Sequence, residues 1–160
     1  MHDDVVIEEV ADLDAAWLEL RSLFLGLHDY HEPFFHRRLR DDWEGRWHDY
    51  VTAPGERVVF FARDGEDVVG YLNAYVRRDL GLFDELVGFI DDAYVVEDAR
   101  SQGIGRALLR RVEDWFQSRG VEEVRLNVVA ANKRGVRFWT LAGFELQSMT
   151  MRKALTKEQR

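Results

Sequence analysis

Residues 99–116 read ARSQGIGRALLRRVEDWF, a glycine-bearing turn that runs into an amphipathic helix. Such a turn can cradle a phosphate or simply start a helix, and three α/β architectures are separated by which it does. A dinucleotide-binding turn wants a third glycine three residues after Gly105, where this chain has Leu108. It also wants an acid at the end of the following strand, whereas Glu122 and Glu123 precede or open that strand. A nucleotide-triphosphate loop needs Gly-Lys-Ser or Gly-Lys-Thr, and Gly105 is followed by Arg106. Both readings fail on residues. What remains is a strand ending at Val96, a turn through residues 100–105, and a helix start. Unpaired N–H groups and the helix dipole attract an anion there, and missing Cβ atoms let it approach. A glycine-containing helix start packed near another backbone has the same local sequence.

Working outward, residues 5–10 (VVIEEV) predict a first strand. Asp12 or Asp14 then caps a helix carrying Trp17, Leu20, Phe24 and Leu27 at helical spacing. Residues 28–33 (HDYHEP) read as a loop ended by Pro33. A second helix is predicted over 34–51, with Leu39, Trp43 and Trp47 on one face. Residues 57–63 and 67–78 are β-rich runs around Asp64-Gly65, a hairpin signal. Residues 79–85 form a loop and 87–96 the next strand. Helix 103–119 buries Ile104, Leu108, Val112, Trp115 and Phe116. A strand follows at 123–129, then a helix capped by Asn132 and ending near Gly143, and a last strand beginning in 144–155. This order, βααβββαβαβ, predicts one α/β domain over 1–160 with a mixed sheet.

At 160 residues the chain suits one domain, and 46% hydrophobic with 32% charged residues is ordinary for a globular protein. No apolar stretch approaches the roughly 20 residues of a membrane span, and the acidic start (MHDDVVIEEV) lacks the features of a signal peptide. Cysteine is absent, which removes disulfides, thiolate zinc sites and a Cys nucleophile, and fits a cytoplasmic location. The net charge of -8 is uneven: residues 1–80 hold 9 Lys and Arg against 18 Asp and Glu, and residues 81–160 hold 13 against 12. An acidic protein makes a poor general binder of nucleic acid. An acidic front half instead suits a cationic ligand, and a balanced back half tolerates an anion.

The run from Val95-Val96 through Arg100-Ser101-Gln102-Gly103-Ile104-Gly105-Arg106 to Leu109 resembles the acetyl-CoA signature of the GNAT N-acetyltransferases. Residues 131–139, with Asn132, and the later Leu141-Ala142-Gly143-Phe144 resemble that family's second half. The resemblance implies an α/β GNAT-like fold, a mixed, mostly antiparallel central sheet flanked by helices. It implies an acetyl-CoA cosubstrate and an amine acceptor: a small molecule, a polyamine-like cation or a protein amine. Backbone N–H groups of residues 100–106 would hold the CoA pyrophosphate, with the Arg100 side chain alongside. Val95 and Val96 would pair with the pantetheine arm, and one of their N–H groups would polarise the thioester carbonyl. Asn132 would reach the pantetheine arm or the acceptor end. Between Glu97 and Arg137, 9 Lys and Arg face 6 Asp and Glu, which suits a polyanionic cosubstrate. The resemblance is also compatible with a homodimer.

Acyl transfer to an amine of pKa ~10.4 requires removal of a proton at neutral pH. With no cysteine, direct attack in a ternary complex is the simpler route. Base candidates are Asp91 and Asp92, expected on opposite faces of their strand, and Glu85 in the preceding loop. Each also reads as a solvated or salt-bridged carboxylate. The family often places a Tyr after the Phe138 equivalent as a general acid toward the CoA sulfur. Here that residue is Trp139, whose N–H donates a hydrogen bond but does not titrate usefully. Tyr94 is the substitute candidate, and a catalytically weak or inactive acyl-CoA-binding protein is the alternative. The resemblance implies that the helix-to-helix loop supplies the acceptor wall, with Tyr30, His31, Glu32 and Phe35 as expected substrate-binding residues and Phe34, Trp43 and Trp47 nearby. These aromatics, Trp43 and Trp47 above all, also read as the helices' buried faces. His28, His31 and His36 beside Asp29 and Glu32 have no recognised metal-site pattern, so no metal is assigned.

Overall fold

The computed structural model describes residues 5–35, 38–79, 85–153 and 155, without the side chains of Asp79 and Glu85. The chain forms two compact units, residues 1–127 and 128–160. The first contains β1 (Val5–Glu9), α1 (Trp17–Phe35), α2 (Trp43–Val51), β2 (Arg57–Asp64), β3 (Asp67–Asp79), β4 (Glu85–Val95), α3 (Ile104–Gln117) and β5 (Glu123–Leu126). The second contains α4 (Lys133–Leu141). The five strands lie in the order β1-β2-β3-β4-β5. Every neighbouring pair is antiparallel except β4 and β5, which are parallel.

Alternation along the strands sorts the core onto two faces. Val59, Phe61 and Tyr71 pack with Leu20, Leu23 and Leu27 of α1 and Val51 of α2. Val58, Phe60, Leu72 and Ala74 point the other way and are buried. That second face carries α3, which touches β2, β3 and β4 and buries Ile104, Leu108, Leu109, Val112, Trp115 and Phe116. Burying an aliphatic or aromatic side chain of this size is worth about 1.5–3 kcal/mol, so this stripe fixes α3 strongly. On the first face Arg63 of β2 binds Glu8 of β1 and both carboxylate oxygens of Glu19 of α1, at 2.9 and 3.1 Å for the latter. One guanidinium thereby joins sheet edge and helix.

The helical pair departs from the sequence reading. Residues 28–33 are helix, because α1 runs on through Pro33 to Phe35. A proline near a helix end removes one backbone bond, and the ring contacts of the last turns hold the remainder. The second helix therefore starts at Trp43, not at 34, and Leu39 lies outside it. Asp12 is the capping residue: its Oδ1 accepts from Ala15 N–H at 3.0 Å in the turn leading to α1, whereas Asp14 pairs with His48 at 2.7 Å. Trp43 and Trp47 belong to helix packing, with Phe24 stacked on both at 5.3 and 4.1 Å. Residues 144–153 form no strand; Leu146, Met149 and Met151 are exposed, so their spacing buries nothing. Within the predicted loop 79–85, residues 80–84 lie outside those described.

Gly88 of β4 shows how tightly α3 is seated. A Cβ there would stand 2.8 Å from ring carbons of Phe116. Gly88→Ala should lower stability by about 1–3 kcal/mol through overpacking. Gly45→Ala in α2, where nothing lies within 4 Å, should raise it by up to about 1 kcal/mol. Denaturant unfolding of the two variants checks the contrast.

Candidate functional site

The two edges of β4 differ. It pairs with β3 from Glu85 to Val95, but with β5 only from Val87 to Ile90. Among the described residues, the stretch Asp91–Val95 has no strand on its β5 side. Val96 N–H donates to the Val69 carbonyl at 2.9 Å. Alternation in an antiparallel ladder then aims the N–H and C=O of Val95 at the open edge. Of the two valines expected to meet pantetheine, only Val95 offers its backbone; Val96 is committed to the sheet.

Beyond Val96 the chain makes a 3-10 turn (Glu97–Ala99) and enters α3 through two left-handed residues, Ser101 (φ 65°) and Gly103 (φ 85°). Nothing lies within 4 Å of a Cβ built on Gly103, so backbone conformation rather than crowding calls for glycine there. No side chain caps α3. Its first-turn amides therefore face outward as a group, beside the open edge of β4, in the geometry that binds an oxyanion. Ser101, Gln102, Gly103, Ile104, Gly105 and Arg106 all lie in this turn or the first turn of α3. The Gln102 side chain binds back to Asp98 O at 3.2 Å and stiffens it. The Arg100 side chain, expected alongside the pyrophosphate, makes contacts within the protein. Its Nε donates to Val95 O at 2.7 Å, and its guanidinium lies over Tyr30 (4.8 Å) and Tyr94 (5.4 Å). It fastens the turn to α1.

Where β5 leaves β4, a bulge interrupts the β3–β4 register: Asn73 faces Asp92, but Ala74 faces Ile90, leaving Asp91 as the extra residue. Both carboxylates consequently act on the α1–α2 face, which corrects the expectation of opposite faces. Asp91 accepts a hydrogen bond from the Tyr50 hydroxyl of α2, and both aspartates bear on Tyr71. Burial first, and Asp91 second, push the Tyr50 phenol up to about 12. The Arg57 guanidinium lies over Tyr50 and Tyr75 at 4.5 and 4.7 Å. Asp92 keeps some solvent-exposed surface but is crowded by protein. Burial, then the charge of Asp91, raise its carboxyl to about 7, against a smaller opposing effect of the Asn73 amide. A group poised near neutrality can accept a proton in turnover. Tyr94 packs against α1, its hydroxyl 2.8 Å from where a Gly26 Cβ would be. Glu85 opens β4, and its side chain lies outside the described residues.

The acceptor-wall residues divide around the end of α1. Tyr30 meets Arg100, and His31 packs edge-on to Phe35 at 5.6 Å. Burial, with His28 nearby, lowers the His31 pKa. Glu32 instead lines a cleft of about 560 Å³ with His28, Arg38, Leu39, Arg40, Asp41 and Trp43. His36 lies outside the described residues, among which no three His, Asp or Glu side chains gather as metal ligands. No described helix is long and apolar enough to cross a membrane. Within the second unit, Asn132 caps α4, its Oδ1 accepting from Gly135 N–H at 3.0 Å. Trp139 packs edge-on between Phe138 and Phe144.

Residues 20–144 match the model of the acetyltransferase (GNAT) family. The chain belongs to the GNAT family. It is 30% identical over 95 residues to an aminoglycoside N(6')-acetyltransferase type 1 of Klebsiella aerogenes, a match taking in 59% of this chain. That match spans 62% of the relative, less than two thirds of its length. Among solved structures, the tetramutant of the BH1408 protein from Bacillus halodurans superposes with a TM-score of 0.82 at 22% identity, covering 94% of this chain and 99% of that one. The aminoglycoside N-acetyltransferase AAC(6')-Iy, solved in complex with CoA, superposes at 0.69 and 18% identity, covering 97% and 95%. At these identities the structures establish the GNAT fold.

Sequence reading missed Tyr50, Arg57, Tyr71 and Asn73 around the aspartates. Asn73 carried a signal, as a lone amide in the run VVGYLNAYV. The protonation of Asp92 is testable by unfolding. Its folded pKa of about 7 exceeds the ordinary 3.8, so the native state binds the extra proton between these values. Stability from this group is full at low pH and is lost as pH rises through about 7. At pH 8, Asp92→Asn should be more stable than the parent, on the order of 2 kcal/mol after discounting its solvent contact. The gain should vanish toward pH 4, as unfolding titrations across pH will read.

Proposed function

We propose that this GNAT protein transfers an acetyl group from acetyl-CoA to a primary amine, in a ternary complex without a covalent enzyme intermediate. The observation that carries the reading is the open edge of β4 over Asp91–Val95 beside the uncapped start of α3, with Asp92 set by the bulge on the α1–α2 face. Amides of residues 101–106 hold the pyrophosphate, and the open edge of β4 takes the pantetheine arm. Asp92 accepts one proton from the ammonium, and burial of the amine lowers its pKa toward the range where this is feasible. The freed lone pair attacks the thioester carbon while Val95 N–H binds the carbonyl oxygen. The C–S bond breaks, CoA leaves as a thiolate of intrinsic pKa ~8.5, and the second amine proton passes to it through solvent.

The acceptor is a small polycationic amine of the aminoglycoside kind. Two things support this: the aminoglycoside acetyltransferase activity named for the relative and the excess of acids in the first 80 residues. Absence of cysteine suits a cytoplasmic setting. Trp139, in place of the family's frequent Tyr, favours a second reading, an acyl-CoA binder without turnover. Thiol release from acetyl-CoA with kanamycin, diaminobutane and lysine as acceptors separates the two; tight CoA binding with no turnover on any amine favours the second.

In that assay kcat should rise with pH through an acid limb near 7, because the base must be ionised. The groups facing Asp92 are Asp91 on its own strand and Asn73 and Tyr71 on β3; Tyr50 of α2 meets Asp91 and Arg57. Asp92→Asn should lower kcat about 100-fold or more with CoA affinity unchanged. Gly103→Val, strained at its positive φ, should weaken CoA binding at least about tenfold by calorimetry.

A further inference from the structure

On the α1–α2 face, Asn73 is 1% exposed, and neither its carboxamide nitrogen nor its oxygen has a hydrogen-bond partner. Native folds pair such groups, since leaving one unsatisfied costs about 1–3 kcal/mol. Two residues along the same face, the Tyr71 hydroxyl is also buried without a partner. Across the ladder stands Asp92. The amide N–H end of Asn73 lies toward Asp92 and favours its ionised form, though without a bond of good geometry. Its oxygen end is left over.

We propose that the Asn73 carboxamide oxygen and the Asp92 carboxylate form the seat for the acceptor's primary ammonium group. The chemistry of the cluster selects a cation. Asp91, Asp92 and the Asn73 carboxamide oxygen are acceptors gathered on one face, and an ammonium brings three donors and no acceptor. Asp91 already takes the Tyr50 hydroxyl, and Arg57 lies over Tyr50 and Tyr75. The bulge sets Asp92 where β4 loses β5, beside the edge whose backbone Val95 exposes. Anchoring one N–H on the Asn73 oxygen while Asp92 takes another as a proton restricts the orientation of the amine, and such restriction accelerates attack. Asn73 is thus a substrate-positioning residue.

The inference rests on the proposed acetyl transfer, and the test separates the two. Asn73→Leu exchanges an unsatisfied amide for an apolar group of similar volume, so its Tm should equal or exceed that of the parent. CoA affinity by calorimetry should stay within about twofold. The KM for kanamycin and diaminobutane should rise at least about tenfold, and the acid limb of kcat should move to higher pH as Asp92 loses the amide N–H. Asn73→Thr keeps an oxygen acceptor, should recover part of the KM, and decides the matter if the leucine variant does not fold. A merely structural Asn73 predicts a lowered Tm with unchanged KM and pH profile, and that result overturns the seat. Binding of both amines to the CoA-saturated protein, measured by calorimetry, needs no turnover. If the parent binds amine but acetylates none, and Asn73→Leu weakens that binding, the seat stands and the transferase reading falls. Turnover with unaltered amine binding and KM in both variants leaves the transferase and overturns the seat.

Discussion

One extra residue in β4 organises this molecule. The bulge at Asp91 shifts the strand by one position against β3, and on its other side the pairing with β5 ends at Ile90. A continuous ladder would have consumed the edge of β4 and sent neighbouring carboxylates to opposite faces. The interrupted ladder turns the Val95 N–H toward the open edge, with the Val95 carbonyl taken by Arg100, and gathers Asp91 and Asp92 near Tyr50, Tyr71 and Asn73. Packing holds the bulged strand from both sides: α1 and α2 lie over one face of the sheet, and Phe116 presses on Gly88 from the other.

The electrostatics follow from that placement. Burial opposes the charged form of Asp92, and the neighbouring charge of Asp91 adds to that, so its carboxyl rises to about 7. Asp91, one position earlier, takes the Tyr50 hydroxyl instead. Two identical side chains thus acquire unequal surroundings.

Much of the fold was legible in the residues. Strands showed through alternation around Asp64-Gly65, α3 through its apolar stripe, and the α3 turn through Gly103, whose positive φ explains the residue type. The helical front was misread because Pro33 is a strong local breaker, whereas ring contacts and the Arg100–Tyr30 stack are tertiary and leave no local pattern. Asp91 and Asp92 were found as residue types, yet their shared face was invisible, since a bulge is a relation between two strands. The Val96 amide was assigned to a ligand for the same reason: its partner, Val69, lies 27 positions earlier. Asn73 was passed over because a single amide in a strand reads as tolerated polarity until its burial is known.

Gly26 gives the front of the molecule a fixed boundary. Its missing side chain lets the Tyr94 ring sit within contact of the α1 backbone, at 2.8 Å from the absent Cβ position. The hydroxyl end of Tyr94 thus abuts the α1 backbone at Gly26. Up to this point α1 is fixed as a wall. Variation falls to the residues after it, where Glu32 and the 38–43 segment line a solvent-open cleft and can change size or charge without moving the sheet.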